Sequence, residues 1–592
     1  MNSETKICQN CKQQFTIEPD DFSFYEKIKV PAPTWCPECR LVRRMLWRNE
    51  RSLYKRKCDL CNQDKILMYR PDSQGVVYCR ECFLSDSWNP LKFGRDYDFS
   101  KSFFDQFADL LRVAPRPGII QQGNNVNSEY TNRSSDNRNN YLIFNTISGE
   151  YCSYGNGFNY SKECMDCYYT QKSERCYECA NCFNCFNLLY SKECIACNDS
   201  FFLSNCRNCQ SCFGCVNLRN KSYCIFNKQF SKEDYQKTIG QFNLGSSIVL
   251  DSLMLKFKSE TGRHPLPALI EHHSDKVTGN WIEESKNIEY GFQCLKVKDG
   301  KYLLHIVEAE GVMDYSFWGV ASENVYETIN SGRQLSNVAF SNECWDQVIN
   351  VRYSMNCHNS QNLFGCIGLR NKQYCVLNKE YSKSEYEAML PKIIESLRQN
   401  PYEDGRGRKY YFGDFFPGEL SPFAYNETIA QEYFPLTKEE TLKTGYRWKD
   451  PETKNYTITK KPGELPDNIK DVDDSVLGAV IGCAHEGKCS EQCTAAFKII
   501  TQELQFYRKM NLPLPRLCPN CRHYQRLKQR NPLKLWHRKC TCVGSKSENG
   551  LYQNTASHFH GTDHCPNEFE TSYAPERPEI VYCEQCYQAE VV

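Results

Sequence analysis

Apolar residues recur at helical spacing in two segments of this chain and follow short, non-helical repeats in two others. From Phe103 to Leu111 and from Ser246 to Lys258 they recur at helical spacing. From 126 to 240 no helical period occurs, and Asn, Ser, Tyr and Phe separate closely spaced cysteines. Later, apolar residues recur every 11 to 13 positions, at Val325, Val338, Val351, Leu363 and Tyr374. Short repeats without helical character predict the stacked coils of a β-solenoid.

Two internal repeats support this prediction. Tyr160-Ser-Lys-Glu-Cys164 returns as Tyr190-Ser-Lys-Glu-Cys194, a period of 30 residues that the neighbouring cysteines also obey. The string that begins at Phe213 returns at Phe364, an offset of 151 residues, so the middle of the chain is duplicated. Each copy runs into a helical segment, and Ser382-x-x-Glu385 forms a capping box at the second. We expect two solenoids, each closed by a cap helix.

The two ends of the chain share a cysteine pattern. Tyr25 precedes Cys36 by 11 residues, as Tyr507 precedes Cys518, and paired Cys-x2-Cys turns recur around both. Two such turns can hold one tetrahedral zinc ion with four thiolates and leave no open position for catalysis. We predict about four zinc ions, bound by Cys8, Cys11, Cys36, Cys39, Cys58, Cys61, Cys79, Cys82, Cys489, Cys493, Cys518, Cys521, Cys542, Cys565, Cys583 and Cys586.

Two of these assignments have alternatives. Cys483 competes with Cys489, and Cys540 competes with Cys542. An insert of about 22 residues before Cys565 also carries three histidines, His558, His560 and His564. It is either a longer loop or the source of a further ligand or metal site.

The N-terminal pattern continues beyond the cysteines. Phe15, the pair Phe24-Tyr25, a lysine, a proline and Cys-x2-Cys-Arg follow one another, and basic residues come next. This order resembles the family of probable treble-clef zinc-binding domains over about 35 residues at each end. The resemblance implies small zinc modules but no particular biochemical role. The C-terminal copy departs from it, because Cys489-x3-Cys493 replaces Cys-x2-Cys. The whole chain is also similar to large cysteine-rich bacterial proteins.

A basic segment follows the second cysteine pair of each module. It spans Arg40 to Lys57 in the first copy and Arg522 to Lys539 in the second. Such segments either contact nucleic-acid phosphates or acidic partners, or form a helical face packed on the module. The candidate binding residues are Arg43, Arg44, Arg48, Arg526 and Arg530.

Composition narrows the class of protein. Among 592 residues there are 37 cysteines, and the net charge is only +1. The polar start lacks a signal-peptide core, which predicts a reduced, cytoplasmic protein whose cysteine pairs bind metal. No apolar run is long enough to cross a membrane. A phosphate-binding glycine loop, an HExxH motif and a nucleophile elbow are all missing, which favours a non-enzymatic role.

The central cysteines have four possible explanations. They are small buried apolar residues, thiolate ligands of zinc or another thiophilic metal, iron–sulfur ligands in the run Cys176-x2-Cys179-x2-Cys182-x2-Cys185, or partners in disulfides. The second copy of the solenoid keeps an apolar ladder where the first has thiols, which favours packing.

We therefore predict a multidomain, mainly β protein with small α+β zinc modules at both ends. Its predicted function is a zinc-binding scaffold for nucleic acid, a ribonucleoprotein or protein partners; the alternative is metal storage or thiol or iron–sulfur redox chemistry. The predicted segments are a tandem zinc module (1–90), a linker (91–125), the first solenoid with its cap (126–245), a helical linker (246–280), the second solenoid with its cap (281–398), an aromatic arm (399–475) and the second zinc module (476–592).

Overall fold

Two β-solenoids occupy the middle of the chain, with a cysteine-rich segment at each end. The computed structural model describes residues 2–592 except 311, 312, 315, 317, 318, 320–324, 334 and 452–455. The protein is mainly β, and the solenoids contain about 20 turns in total. The predicted solenoid architecture is confirmed.

The N-terminal segment contains two small hairpins and three helices before a longer helix. Its elements are β1 (Glu4–Ile7), β2 (Gln14–Ile17), α1 (Pro19–Lys27), α2 (Pro37–Met45), β3 (Tyr54–Lys57), β4 (Asp64–Leu67), β5 (Val77–Tyr78), α3 (Arg80–Leu84) and α4 (Phe103–Val113). β1 pairs with β2 and β3 pairs with β4, both antiparallel.

The first solenoid is built from short parallel strands and ends in a hairpin and a helix. Its elements are β6 (Arg116–Pro117), β7 (Gln121–Gln122), β8 (Thr131–Ser135), β9 (Tyr141–Ile147), β10 (Ser153–Asn159), β11 (Tyr168–Gln171), β12 (Ala180–Phe183), β13 (Phe186–Leu189), β14 (Asn198–Phe201), β15 (Cys224–Ile225), β16 (Lys228–Gln229) and α5 (Lys232–Ile239).

A long helix leads into the second solenoid, which ends in the same way. Its elements are α6 (Ser247–Thr261), β17 (Leu266–Pro267), β18 (Glu271–His272), β19 (Asp275–Glu283), β20 (Lys286–Lys301), β21 (Leu304–Glu310), β22 (Ile349–Arg352), β23 (Gln361–Phe364), β24 (Gln373–Val376), β25 (Lys379–Glu380) and α7 (Lys383–Gln399). Tyr386 of α7 packs its ring on Tyr374 of the last coil, as Tyr235 of α5 packs on Tyr223.

The remaining elements belong to the aromatic arm and the C-terminal segment. They are β26 (Tyr402–Glu403), β27 (Lys409–Tyr410), α8 (Ala430–Tyr433), α9 (Lys438–Lys443), β28 (Ile481–Gly482), β29 (Ala496–Phe497), α10 (Thr501–Met510), α11 (Pro519–Leu527), β30 (Trp536–Lys539), β31 (Glu568–Thr571), β32 (Val581–Tyr582) and α12 (Glu584–Val591). Short 3₁₀ turns lie at Pro90–Phe93, Gly418–Leu420, Tyr425–Glu427, Pro462–Glu464, Ile469–Asp471 and Asp474–Gly478.

The aromatic arm is packed within the chain. Its phenylalanines at 412, 415 and 416 are buried in a core shared with α4 and the second solenoid. None of the helices among the described residues is both long and apolar enough to span a bilayer.

Each coil of the first solenoid is a square of four three-residue sides. A left-handed residue recurs at nearly every third position, for example Glu163 and Asp166 with φ near 50°. The residue after it points inward, so Cys176, Cys179, Cys182 and Cys185 are the inward residues of one coil and are all buried. Successive coils pair in parallel at 12 residues, as Lys162 does with Glu174.

The 30-residue sequence period is therefore not the length of a coil. Thirty residues are ten three-residue sides, or two and a half coils, so equivalent cysteines of the sequence repeat lie on opposite sides of the solenoid. The predicted spacing of 11 to 13 residues in the second solenoid is the coil length itself. Ser316 pairs with Ile329 and Met355 with Ile367, which are coils of 13 and 12 residues.

The two solenoids lie side by side in opposite directions. Arg133 forms an ion pair with Glu343, and the Tyr169 ring lies 5.0 Å from His305. Further along, Phe183 contacts Trp281, with ring centroids 6.1 Å apart. Along this seam the residue numbers increase in the first solenoid while those of their partners decrease in the second, so the two solenoids are antiparallel.

The seam makes stability depend on pH through one histidine. Burial, together with the nearby charges of Arg48 and Arg530, lowers the pKa of His305 to about 3. Its pKa in the unfolded chain is about 6.5, so folding favours the neutral ring and stability is lost as pH falls below 6.5. Between pH 6.5 and 5 we expect the wild type to lose about 2 kcal/mol more than His305→Asn. Urea unfolding followed by circular dichroism would measure this difference.

The control for this variant is His273→Asn. His273 is exposed in the same solenoid and shares the left-handed backbone, with φ of 52° at both histidines. Asparagine fits that backbone. Parallel pH profiles for wild type and His305→Asn would contradict the prediction.

Candidate metal centres and the docking interface

Four groups of four cysteines bring their sulfurs together, two at each end of the chain. Site 1 is Cys8, Cys11, Cys36 and Cys39, and site 2 is Cys58, Cys61, Cys79 and Cys82. Within each group all sulfurs lie within 4.8 Å of one another. Two sulfurs bonded at 2.3 Å to a tetrahedral zinc ion are about 3.8 Å apart. Observed separations of 3.7 Å for Cys11–Cys36 and 4.0 Å for Cys61–Cys79 fit that geometry.

Site 3 uses a cysteine that the sequence prediction had placed second. Its group is Cys483, Cys493, Cys518 and Cys521. The backbone N–H of Cys518 donates to the Cys483 sulfur at 3.3 Å, as that of Cys36 donates to Cys8. Cys483, rather than the predicted Cys489, is therefore the counterpart of Cys8. Cys489 lies beside the site as a fifth thiol, 3.6 Å from the sulfur of Cys521.

Site 4 likewise contains the alternative cysteine of its pair. Its group is Cys540, Cys565, Cys583 and Cys586, without the predicted Cys542. The N–H of Cys583 donates to the Cys540 sulfur at 3.2 Å, as that of Cys79 donates to Cys58. Because Cys540 accepts this hydrogen bond, it occupies the place in site 4 that Cys58 occupies in site 2. Cys542 points instead towards the histidine-rich insert.

In each site one thiol has a lowered pKa, whereas most of its neighbours have raised pKa values. A hydrogen bond from the Cys483 thiol lowers the pKa of Cys518 to about 4. At site 2, burial opposes ionisation, but backbone N–H donors at Cys61 and Cys79 lower the pKa of Cys58 to about 7. Asn10 and Asn567 donate side-chain hydrogen bonds to the sulfurs of Cys39 and Cys583. Thiolates are the form that binds metal.

Site 1 positions a helix whose arginines enter the second solenoid. Cys36 is the N-cap of α2, so a metal ion bound there fixes the start of the helix. Arg40 donates to Asp314 at 2.6 Å, and Arg43 donates to both carboxylate oxygens of Glu327 at 2.7 and 2.8 Å. All four side chains are almost wholly buried.

Site 3 repeats the arrangement on the first solenoid. Cys518 is the N-cap of α11, and Arg522 contacts Asp166 at 2.5 Å. Arg526 pairs with Asp166 at 3.0 Å and with Glu178 at 2.8 Å. Arg530 donates to the Tyr168 hydroxyl at 2.7 Å. Each end of the chain therefore docks on the solenoid of the opposite half.

The docking contacts of the two modules are equivalent, because the acids and tyrosines that they use occupy matching coil positions in the two solenoids. In the second solenoid, the coil positions 316, 329, 342, 355 and 367 match 168, 180, 192, 204 and 216 in the first. Asp314 then corresponds to Asp166, and Glu327 to Glu178. Tyr25 packs on Tyr326 at 5.4 Å, as Tyr507 packs on Tyr177 at 5.8 Å.

Sites 2 and 4 contact the start of the solenoid that their own half contains. β5, which leads into Cys79, pairs in parallel with β6 ahead of the first solenoid. β32, which leads into Cys583, pairs in the same way with β17 ahead of the second. Each cysteine module therefore contacts both solenoids. One of its sites contacts the solenoid of the opposite half, and the other contacts the solenoid of its own half.

The predicted binding arginines lie in this docking interface. Arg43, Arg44, Arg48 and Arg526 are buried, and Arg530 is half-buried. Arg44 lies against Asp314 and Glu327, and Arg48 pairs with Glu50 at 2.6 Å. Of the two explanations for the basic segments, the structure favours packing on the module, because Arg43, Arg44 and Arg526 lie on α2 and α11 and the other two arginines lie just beyond the ends of these helices. Apart from Glu50, the acids that they meet are far away in sequence, so the pattern of a single segment does not reveal them.

The nineteen cysteines between Cys152 and Cys375 have a different environment. All are buried, and each thiol donates to the carbonyl two residues before it, as Cys179 does to Tyr177 at 3.4 Å. The Cys-x2-Cys spacing in this region follows from the three-residue side of the coil. Burial raises the pKa of Cys294 and Cys375 to about 12. Cys176 differs, because hydrogen bonds from the Cys164 and Cys179 thiols lower its pKa to about 7.

Comparisons with known proteins add no functional assignment. No protein-family model matches the chain, and no curated protein matches it. The resemblance to treble-clef domains therefore remains a prediction. Among solved structures, one similar chain is described as a "putative acetyltransferase" from Desulfovibrio desulfuricans G20. It is 9% identical, with a TM-score of 0.10, over 50% of this chain and 75% of the other, so the match carries no argument.

Proposed function

We propose that this chain is a non-enzymatic zinc protein whose metal ions hold a rigid pair of solenoids together as a scaffold for protein partners. The observation that carries the proposal is the position of the metal ligands. Cys36 and Cys518 are at once members of four-cysteine groups and the N-caps of the two docking helices. Metal binding and the joining of the two halves therefore depend on the same residues.

The donor set supports structural zinc. Each site offers four sulfurs and is complete without a water ligand, which is the arrangement typical of structural zinc rather than catalytic zinc. Zinc would be held at sites 1 to 4 by the cysteines that each group contains, and it would supply folding free energy instead of a reactive centre.

A protein partner is favoured over nucleic acid. Binding to nucleic acid depends on exposed Lys and Arg side chains that contact phosphates. Of the five arginines that motivated that hypothesis, four are buried against the solenoids and the fifth is half-buried. A phosphate at these positions would have to displace Asp166, Glu178, Asp314 or Glu327. The solenoid faces, in contrast, offer a regular and rigid surface for protein docking.

The alternative is that the thiol array stores a soft metal. Cys176, Cys179, Cys182 and Cys185 face the interior of one coil, and the lowered pKa of Cys176 favours a thiolate there. Binding would break the thiol hydrogen bonds to backbone carbonyls, which gives the packing explanation the advantage.

Metal analysis of the full-length protein, purified without added metal, separates these functions. We expect zinc without iron, a colourless solution, and loss of one zinc in each of Cys11→Ser and Cys61→Ser. Cys182→Ser is the matched control and should keep the full zinc content. Iron with visible absorbance, or metal lost in Cys182→Ser, would favour the storage or redox function instead.

A further inference from the structure

We infer that the C-terminal module binds a fifth metal ion, held by Cys542, His558, His560 and Cys586. The inference rests on the proposed function, since Cys586 also belongs to site 4. Its sulfur would bridge two ions. The donor atoms of this second group again lie within 4.8 Å of one another, and all but His560 belong to buried residues.

The orientation of His558 points to a missing ligand partner. Its Nε2 lies 3.1 Å from a carboxylate oxygen of Glu590, and both side chains are fully buried. Its Nδ1 is buried and has no hydrogen-bond partner among the described residues. A buried ring nitrogen without a partner is costly unless it binds something. A metal ion at Nδ1 would complete the carboxylate–histidine–metal arrangement that is common at metal sites.

Glu590 is itself held in place for this role. It accepts hydrogen bonds from the backbone N–H groups of Thr555 and Ala556, at 2.9 and 2.8 Å. The Glu590 carboxylate accepts a hydrogen bond from the Nε2–H of His558, which leaves the Nδ1 lone pair free.

His560 directs its Nε2, rather than its Nδ1, towards the proposed metal position beside Cys586. Its Nδ1 lies 2.7 Å from the carbonyl oxygen of Asp563, and a carbonyl can only accept, so Nδ1 carries the proton. The Nε2 lone pair therefore faces the Cys586 sulfur at 3.3 Å. Nitrogen and sulfur ligands of one tetrahedral zinc ion are about 3.6 Å apart. On the other side, Asn554 donates to the Cys542 sulfur at 3.2 Å and holds it in place.

The insert supplies the parts that site 2 lacks. Between Cys540 and Cys565 the chain makes a closed loop that has no counterpart between Cys58 and Cys61. Gly544, with φ of 76°, meets the backbone of Gly561 and Thr562 so closely that a side chain there would lie 2.5 Å from the Gly561 oxygen. This contact closes the loop and holds Cys542, His558 and His560 over Cys586.

Charge also favours a second ion. Site 4 alone places four thiolates around one divalent ion, a net charge of −2. Adding Cys542, two neutral histidines and a second divalent ion gives five thiolates and two ions, a net charge of −1. Burial disfavours uncompensated charge, so the paired site is the better-balanced one.

The test is the zinc content of full-length variants by native mass spectrometry. We expect His560→Ala and Cys542→Ser each to hold one zinc fewer than the wild type. The control His564→Ala, at an exposed position of the same insert, should hold as many as the wild type. Equal zinc content in wild type, His560→Ala and Cys542→Ser would overturn the fifth site.

A further variant separates this inference from the proposed function. Cys61→Ser opens site 2 and must lose one zinc whether or not the fifth site exists. An unchanged zinc content in Cys61→Ser would count against the proposed function. The same variant losing one zinc, with His560→Ala unchanged, would count against the fifth site alone.

Discussion

Asp166→Asn is expected to lower the free energy of unfolding by about 3–5 kcal/mol, because it leaves buried guanidinium charge without its carboxylate. Asp166 is fully buried and contacts Arg522 and Arg526 at 2.5 and 3.0 Å. Asparagine has nearly the same shape and fits the left-handed backbone at this position. Urea unfolding, with hydrogen exchange at α11, would measure both the loss of stability and its location.

Glu163→Gln is the matched control. Glu163 stands three residues earlier, shares the left-handed backbone, and pairs with Lys509 at 2.7 Å on the exposed side of the same interface. An exposed pair contributes at most about 1 kcal/mol. Similar losses in the two variants would show that the buried contacts do not carry the docking.

Metal removal is expected to have the largest effect on the molecule. Zinc binding to a structural site contributes about 10–16 kcal/mol in isolated fingers. A strong chelator should therefore release α2 and α11 from the solenoids, while the coils keep their backbone ladders. Hydrogen-exchange mass spectrometry should show faster exchange at 37–45 and 519–527 and continued protection at 150–220.

Two substitutions give the same comparison without chelator. Cys39→Ser removes a ligand of site 1 and should accelerate exchange at α2. Cys182→Ser removes a buried coil thiol whose place in the preceding coil is taken by Thr170, so serine should be accommodated. Protected α2 in metal-free protein would mean that the arginine contacts suffice for docking.

The sequence predicts the solenoids well because their signal is local. Apolar spacing of 11 to 13 residues in the second copy is the coil length, and the internal duplication is visible at an offset of 151. The 30-residue period does not give the coil length, because it is a whole number of three-residue sides but not a whole number of coils. Only the backbone shows that four sides close a coil.

Cysteine spacing alone has two physical origins in this chain. At the ends, Cys-x2-Cys is a turn that directs two sulfurs to one point, as at Cys36 and Cys39. In the coils, the same spacing places inward residues on successive sides of a square, as at Cys179 and Cys182. Deciding between Cys483 and Cys489 needs the backbone as well, because an insertion separates the ligands of site 3.

The docking acids could not be found from local patterns. Asp166 and Asp314 occupy positions where the coil usually turns polar residues towards solvent, and only the opposite module makes them buried. The duplication does relate Asp314 to Asp166. The alignment becomes visible only when the three 13-residue coils of the second solenoid are matched to 12-residue coils of the first.

The exchange of docking partners between the two halves has a consequence for synthesis. Arg522 follows Asp166 by 356 residues, and Asp314 follows Arg40 by 274. A ribosome that adds about 5–20 residues per second needs roughly 20–70 s to cover the longer interval. Throughout that interval the first solenoid is present without the helix that neutralises its buried acids. The nascent chain therefore completes its electrostatic pairing only when α11 emerges from the ribosome.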